Sequence, residues 1–163
     1  MLSLTHLHPM IVHFPIALLC LASLAGLVYL YWRPYPVLLA LTWWPMRLGW
    51  IGGAVAVASG LIAQSGLPPA APYRGILNWR IGTGLALLVC YGLLIYWRWL
   101  FDSSKAKKQR IRAAQSFSDL LDDPKARTGF TVVALLGLCL VIASGWNGGR
   151  LVYEWGVNVK TVQ

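Results

Sequence analysis

Two histidines at the start of the first apolar run are the residues best suited to chemistry in this sequence. His8 and His13 lie on either side of a short apolar segment, and Pro15 follows them. Imidazole is a good metal and tetrapyrrole ligand near neutral pH. Five residues correspond to about 140° of rotation on an α-helix, so the two imidazoles do not readily bind one ion from one face. The pattern favours one histidine as an axial ligand or as a structural hydrogen-bonding group.

The histidine inventory limits the kind of haem site that the chain can hold. The sequence contains 3 histidines, and all of them lie on the first segment. Bis-histidine haem ligation between two helices needs a second imidazole on another helix, so such a site within one chain is excluded. The remaining alternatives are a five-coordinate haem b or other tetrapyrrole, a Met or Tyr partner, or a ligand from another subunit. A histidine that stabilises the Pro15 defect or the tail is the structural alternative.

Polar residues of two other segments are the companion candidates. A guanidinium near a histidine suits a haem propionate, a quinone head group or a lipid phosphate. The alternative is that the arginines are helix-end anchors whose charges extend to the interface. The predicted cofactor-binding residues are therefore His8, His13, Arg80, Arg150 and Tyr153.

Catalytic and metal chemistry are not predicted. Of the 5 carboxylates, only Glu154 is expected near the histidines, so no nucleophile, base and acid can be assembled. The 3 cysteines, Cys20, Cys90 and Cys139, fall inside apolar runs without paired spacing, which excludes a disulfide scaffold and a zinc site. We therefore expect a protein that is not an enzyme.

The composition indicates an integral membrane protein. Hydrophobic residues make up 58% of the chain and charged residues 12%, and the mean hydropathy is +0.61. A soluble domain carries nearer a quarter charged residues. The net charge of +9 is concentrated in one loop beside a predicted span, which favours an anionic membrane surface over nucleic acid as the partner.

The apolar runs predict an all-α, polytopic protein in which residues 1–163 form one transmembrane domain. Two prolines in the segment Arg33–Pro36 end the first run. Glycines and an alanine recur at helical spacing in the second run, which favours close helix packing. The predicted spans are residues 10–32, 43–63, 79–98 and 129–146, with a tail over residues 147–163.

The basic loop over residues 99–127 sets the predicted orientation. Together with Arg98 just before it, the loop holds 8 of the 14 Lys and Arg residues, so the positive-inside rule places it in the cytoplasm and both termini in the periplasm. The periodicity from Ile111 to Leu121 predicts a short amphipathic helix on the membrane surface, with Lys105–Arg112 contacting anionic lipid. The alternatives are a soluble partner on the same face or a solvated topogenic loop. This topology gathers the candidate residues at one periplasmic rim.

Two separated motifs resemble a family of uncharacterised bacterial four-helix membrane proteins. The first is the segment His8–Leu18, which reads His-Pro-x-x-Val-His-Phe-Pro-Ile-Ala-Leu, and the second is Gly148–Val157, which reads Gly-Gly-x-Leu-Val-Tyr-x-x-Gly-Val. The resemblance covers essentially the whole chain. It implies a layout similar to small b-type cytochrome membrane subunits and a further histidine near the third helix, where this chain has Leu77–Arg80 without one.

We expect a non-enzymatic inner-membrane module that serves as an accessory subunit of a respiratory or photosynthetic electron-transport complex, packed against other membrane subunits. The first alternative is a carrier of haem b or another tetrapyrrole on a histidine of the first helix, which transfers electrons at the periplasmic side. The second is a small transporter, although the predicted spans have no ionisable residue at mid-membrane. An absorption spectrum distinguishes a haem carrier from a colourless subunit.

Overall fold

Five helices follow the apolar and basic segments of the sequence in the computed structural model. The structure describes the backbone of residues 4–65, 74–112 and 117–153, and the side chains of residues 13–62, 74–112 and 117–150. A turn of 3₁₀ helix, Leu120–Asp122, precedes the last helix. The helices are α1 (Leu4–Tyr31), α2 (Pro36–Ser65), α3 (Arg74–Asp102), α4 (Ser104–Arg112) and α5 (Pro124–Tyr153).

Four of these helices are long and apolar enough to cross a membrane. The described apolar part of α1, His13–Tyr31, already has 19 residues, which is about 28 Å at the rise of an α-helix and matches a hydrocarbon core of roughly 30 Å. The predicted all-α, polytopic class is confirmed, including a short helix between the third and fourth spans. The spans are His13–Tyr31, Pro36–Ile62, Arg74–Asp102 and Pro124–Arg150.

The helix ends differ from the predicted spans where polar residues lower the hydropathy without ending the helix. α2 begins at Pro36, because proline suits the first position of a helix. α5 begins at Pro124, and the Asp123 carboxylate accepts the Lys125 amide 2.9 Å away as an N-cap. α5 continues to Tyr153, so residues 147–153, predicted as tail, are helical. Glycine costs a helix only about 1 kcal/mol per residue.

The four long helices form a closed ring of neighbours. α1 packs most closely on α2, and α3 packs most closely on α5. Contacts between α2 and α3 and between α1 and α5 complete the ring. The ends of α1 and α3 and the beginnings of α2 and α5 therefore lie at one end of the bundle, which we call the α4 end because α4 follows α3 there. The opposite end is called the far end.

Aromatic rings of one helix pack against glycines of another in the core. Phe130 lies so close to Gly26 that a Cβ on this glycine would be 2.5 Å from the ring. Tyr91 lies against Gly137 in the same way, at 2.8 Å, and its hydroxyl is 2.8 Å from the Ser23 hydroxyl, with which it shares a hydrogen bond. These glycines allow large rings to fill the space between helix backbones, which stabilises the bundle through dense packing.

The glycines of α2 also lie at helix contacts. A Cβ on Gly49 would be 2.9 Å from Leu19 of α1, and one on Gly52 would be 3.3 Å from Pro15. Close packing of α1 on α2 therefore depends on small residues, as is usual in membranes, where helices associate through van der Waals contact.

The surface helix predicted over Ile111–Leu121 does not continue to Leu121, because residues 117–119 are not helical. The described part of α4 is Ser104–Arg112, and Leu120 and Leu121, which were expected on an exposed amphipathic helix, are instead buried in the bundle. Arg110 fastens α4 to α3, since its guanidinium carbon lies 3.4 Å from the centre of the Phe101 ring and its Nη2 donates to the Phe101 carbonyl at 2.8 Å. Burial of the two leucines holds this segment against the bundle before α5 begins.

Candidate functional site

His13, one of the two histidines predicted to bind a cofactor, lies on an outward face of α1. The side chain of His13 is exposed, and the residues that share its helix face, Ala17 and Leu24, are exposed as well. Pro15 is buried against Gly52 on the α2 side of the same helix. Two residues correspond to about 200° of rotation, so His13 points away from the α1–α2 contact.

The predicted arginines lie on α3 and α5 near the far end. Arg80 is half-buried, and its Nε lies 3.7 Å from the position that a Cβ would take on Gly148 of α5. Arg150 follows two residues later and is also half-buried. Asn147, the residue before Gly148, is buried. The side chains of His8 and Tyr153 lie outside the described residues.

A cluster of polar side chains that the sequence did not predict closes the α4 end of the bundle. We call it the polar cluster; it comprises Tyr29, Trp43, Arg98, Asp119 and Asp122. Three of these residues come from α1, α2 and α3, and the two carboxylates come from the turn before α5. The turn therefore contacts each of the first three long helices through a polar side chain.

Asp119 is the centre of the polar cluster. Its carboxylate is buried, accepts a hydrogen bond from Trp43 Nε1 at 3.2 Å and forms a salt bridge with Arg98. The same carboxylate accepts the backbone amide of Leu121 at 3.0 Å and so caps the 3₁₀ turn. The Arg98 guanidinium also stacks over the Trp43 ring, 4.7 Å from its centre. A buried charge is thus both paired and hydrogen-bonded, as its desolvation requires.

Asp122 connects the same turn to α1. Its carboxylate accepts hydrogen bonds from the Tyr29 hydroxyl, from Ser118 Oγ at 2.7 Å and from the Asp119 amide at 2.9 Å. Burial raises the pKa of this carboxyl group, but the hydrogen bonds stabilise the charged form by more, so the pKa lies below its usual value. Asp119 and Asp122 together form a reciprocal capping box.

The geometry of the polar cluster suits attachment of the turn rather than catalysis. An ionised carboxylate has about four acceptor positions, and both Asp119 and Asp122 already accept three hydrogen bonds. Among the residues with described side chains, no group of three or more His, Cys, Asp or Glu residues is placed to hold a metal ion. The cysteines Cys20, Cys90 and Cys139 are free thiols.

The sequence carried one signal for this cluster. Asp119 and Asp122 have the spacing of a capping box, and Pro124 marks a helix start. The periodicity of the preceding residues favoured a surface helix instead. Two tryptophans of α2 donate hydrogen bonds to other elements: Trp43 Nε1 donates to Asp119, and Trp50 Nε1 donates to the Leu88 carbonyl at 2.7 Å.

Four long apolar helices, with a polar turn that contacts the first three of them before the fourth begins, define a polytopic membrane protein of the all-α class. The chain belongs to the family described as predicted membrane protein (DUF2231), whose model matches residues 5–161. The family resemblance inferred from the two motifs is thereby confirmed. No curated protein and no solved structure matched this chain.

Proposed function

We propose that the protein is a non-enzymatic module of the bacterial inner membrane and an accessory subunit of an electron-transport complex. The observation that carries this proposal is the outward position of His13 on α1, beside exposed apolar residues. A polar side chain on an apolar, membrane-facing surface is costly unless a partner satisfies it. A neighbouring subunit that covers this face of α1 would supply that partner.

The polar cluster supports a structural role. It connects α1, α2 and α3 to the turn before α5 at the α4 end of the bundle. These connections hold the outer faces of the bundle in a constant arrangement. A preformed surface binds a partner with less loss of conformational entropy than a mobile one. This is what an accessory subunit requires.

The proposal is tested by isolating the tagged protein from native membranes in a mild detergent. We expect a complex of defined size whose other subunits carry redox centres, and we expect His13→Ala to release them. Leu85→Ala is the matched control, since Leu85 is also an exposed residue of a spanning helix. A protein that migrates alone, with respiratory electron flux unchanged when its gene is deleted, would contradict the proposal.

A haem carrier is the second candidate, favoured by the half-buried Arg80 against Gly148 at the far end, with the half-buried Arg150 two residues further along α5. Two guanidinium groups at the far end suit the propionates of a tetrapyrrole held by a histidine of α1. The absorption spectrum of the purified protein separates the two candidates. A Soret band that His13→Ala or His8→Ala abolishes supports the carrier, whereas a colourless protein in a stable complex supports the accessory subunit.

The proposed topology has both termini in the periplasm and α4 on the cytoplasmic surface. Its support is the charge of α4, whose Lys105, Lys107, Lys108 and Arg112 are exposed, since basic loops stay in the cytoplasm and attract anionic lipid. Alkaline phosphatase fused to the C-terminus should be active. A C-terminal reporter that is active only in the cytoplasm would reverse the assignment.

A further inference from the structure

A groove between α2 and α3 opens on the outer surface of the bundle near the α4 end. Its volume is about 420 Å³, within the range of roughly 300–1,000 Å³ that is usual for small-molecule sites. The groove is largely apolar, with one charged residue on its wall. The lining residues are Arg47, Trp50, Gly92, Ile95, Tyr96 and Trp99.

The floor of the groove depends on a tryptophan that lies over a glycine. Trp50 of α2 reaches across to α3, where its Nε1 donates to the Leu88 carbonyl at 2.7 Å. A Cβ on Gly92 would be only 3.1 Å from the same nitrogen, so a larger residue would displace the indole. The indole separates the two helices and leaves a space beside it toward the α4 end.

The walls of the groove are aromatic and face the membrane. Tyr96 and Trp99 of α3 are stacked, with ring centres 5.8 Å apart, and both are exposed. On the α2 side, Arg47 is exposed and lies 6.0 Å from the centre of the Trp44 ring. Aromatic residues and an arginine on neighbouring helices are typical of the interfacial depth of a membrane.

Arg47 lies inside the span Pro36–Ile62, in the half of α2 that is nearer the α4 end. Arg47 lies one turn, or about 6 Å, further into the span than Trp43, whose indole bonds the polar cluster at the end of the bundle. A guanidinium at this depth extends toward the interface, where the phosphates of the nearer leaflet lie. An apolar groove with one cation at its outer end is complementary to an acyl chain attached to an anionic head group.

We propose that this groove binds one anionic phospholipid of the leaflet at the α4 end. The Arg47 guanidinium donates hydrogen bonds to the phosphate, and an acyl chain lies along Trp50, Gly92 and Ile95. Basic pockets between transmembrane helices bind such head groups, and guanidinium donates to phosphate in a bidentate geometry. This site lies within the membrane and is separate from the exposed lysines of α4. The charge of Arg47 favours an anionic phosphate over an uncharged quinone, whose carbonyl oxygens accept hydrogen bonds but carry no charge to pair with the guanidinium.

The experiment measures lipid retention by native mass spectrometry after the full chain is reconstituted with equal amounts of phosphatidylglycerol and phosphatidylcholine. We expect the wild-type protein to retain one phosphatidylglycerol in preference. Arg47→Leu should lower this preference roughly tenfold, as expected for the loss of a charge-assisted hydrogen bond, and Arg47→Lys should restore part of it. Trp99→Ala, which removes one wall, should weaken retention of the same lipid.

Two matched controls separate the groove from general effects. Trp79 lies on the same helix and is 64% exposed, against 63% for Trp99, so Trp79→Ala should leave retention unchanged. Arg33→Leu removes an exposed charge at the same end of the bundle and should also have no effect.

Equal retention of both lipids, or an equal loss in Arg33→Leu and Arg47→Leu, would overturn the proposal. Trp99→Ala keeps the test decisive if Arg47→Leu fails to fold. Displacement of the retained lipid by a neutral quinone, with no dependence on Arg47, would also overturn it.

Discussion

Removal of the Asp119 carboxylate should destabilise the whole bundle. Asp119 is 3% exposed and accepts hydrogen bonds from Trp43, Arg98 and the Leu121 amide. In Asp119→Ala the indole and the backbone amide lose their acceptor, and the guanidinium loses its buried partner. The change therefore acts on three segments of the chain at once.

The magnitude follows from burial. Breaking a buried ion pair by removing one partner costs about 3–5 kcal/mol, because the other charge stays desolvated. Arg98 retains a second partner, Asp102, 3.0 Å from its Nε and 46% exposed, and this second pair reduces the penalty. We expect Asp119→Ala to lower the free energy of unfolding by about 3 kcal/mol. Asp102→Ala, which breaks only the exposed pair within one helix, should cost about 0.3–0.5 kcal/mol.

The assay is unfolding by dodecyl sulfate in mixed micelles, followed by tryptophan fluorescence, to which Trp43 contributes directly. The double variant Arg98→Met with Asp119→Leu should recover only the part of the loss that comes from the unpaired guanidinium, because the Trp43 indole and the Leu121 amide still lack their acceptor. A double-mutant cycle then isolates the coupling energy of the pair. If Asp119→Ala costs no more than Asp102→Ala, the polar cluster does not hold the turn as described.

Three further changes test the packing of the core and the charge of Asp122. Gly137→Ala should destabilise the bundle by about 1–3 kcal/mol in the same assay, because its Cβ would be 2.8 Å from the buried Tyr91 ring, whereas Gly145→Ala on the same helix meets nothing within 4 Å and should be neutral or slightly stabilising. Tyr91→Phe should lower the unfolding free energy by about 1 kcal/mol, because the hydrogen bond with Ser23 is lost. Unchanged thermal unfolding of this variant would show that the hydrogen bond does not contribute to stability. The pKa of Asp122 is lower in the folded protein than in the unfolded chain, so its stabilisation is present above the unfolded pKa and is lost as pH falls through the folded pKa. Unfolding free energies measured across the acidic range should therefore decline below about pH 4. Asp122→Asn should reduce this decline.

Hydropathy was sufficient to predict the four spans, because a helix that crosses a membrane must be apolar over nearly its whole length. The helix ends were less predictable. Lys125 and Arg127 lower the hydropathy at the start of α5, yet they lie on regular helix that Asp123 caps. Gly148 and Gly149 suggested a break near the end of α5, but helix contacts with α3 outweigh their small propensity cost.

The polar cluster could not be predicted from local patterns, because its partners are distant in sequence. Trp43 precedes Asp119 by 76 residues and Tyr29 precedes Asp122 by 93, so only the packing of the helices brings them together. The charge and periodicity of this segment predicted an amphipathic surface helix, and burial of Leu120 and Leu121 is a tertiary effect. Conversely, the histidine was an obvious candidate, but a sequence without a known helix arrangement does not show that His13 lies on an outward face.

The attachment of the turn to the first three helices has a consequence for how the chain assembles in the bilayer. Arg98 and Trp43 are synthesised before Asp119, and Asp119 in turn precedes the whole of α5. Three inserted helices therefore already present a cation and an indole donor to the emerging turn. Docking of the carboxylate fixes the point at which the last helix returns into the lipid, five residues after Asp119 at Pro124. We therefore expect the salt bridge to guide the final insertion step, in addition to stabilising its product.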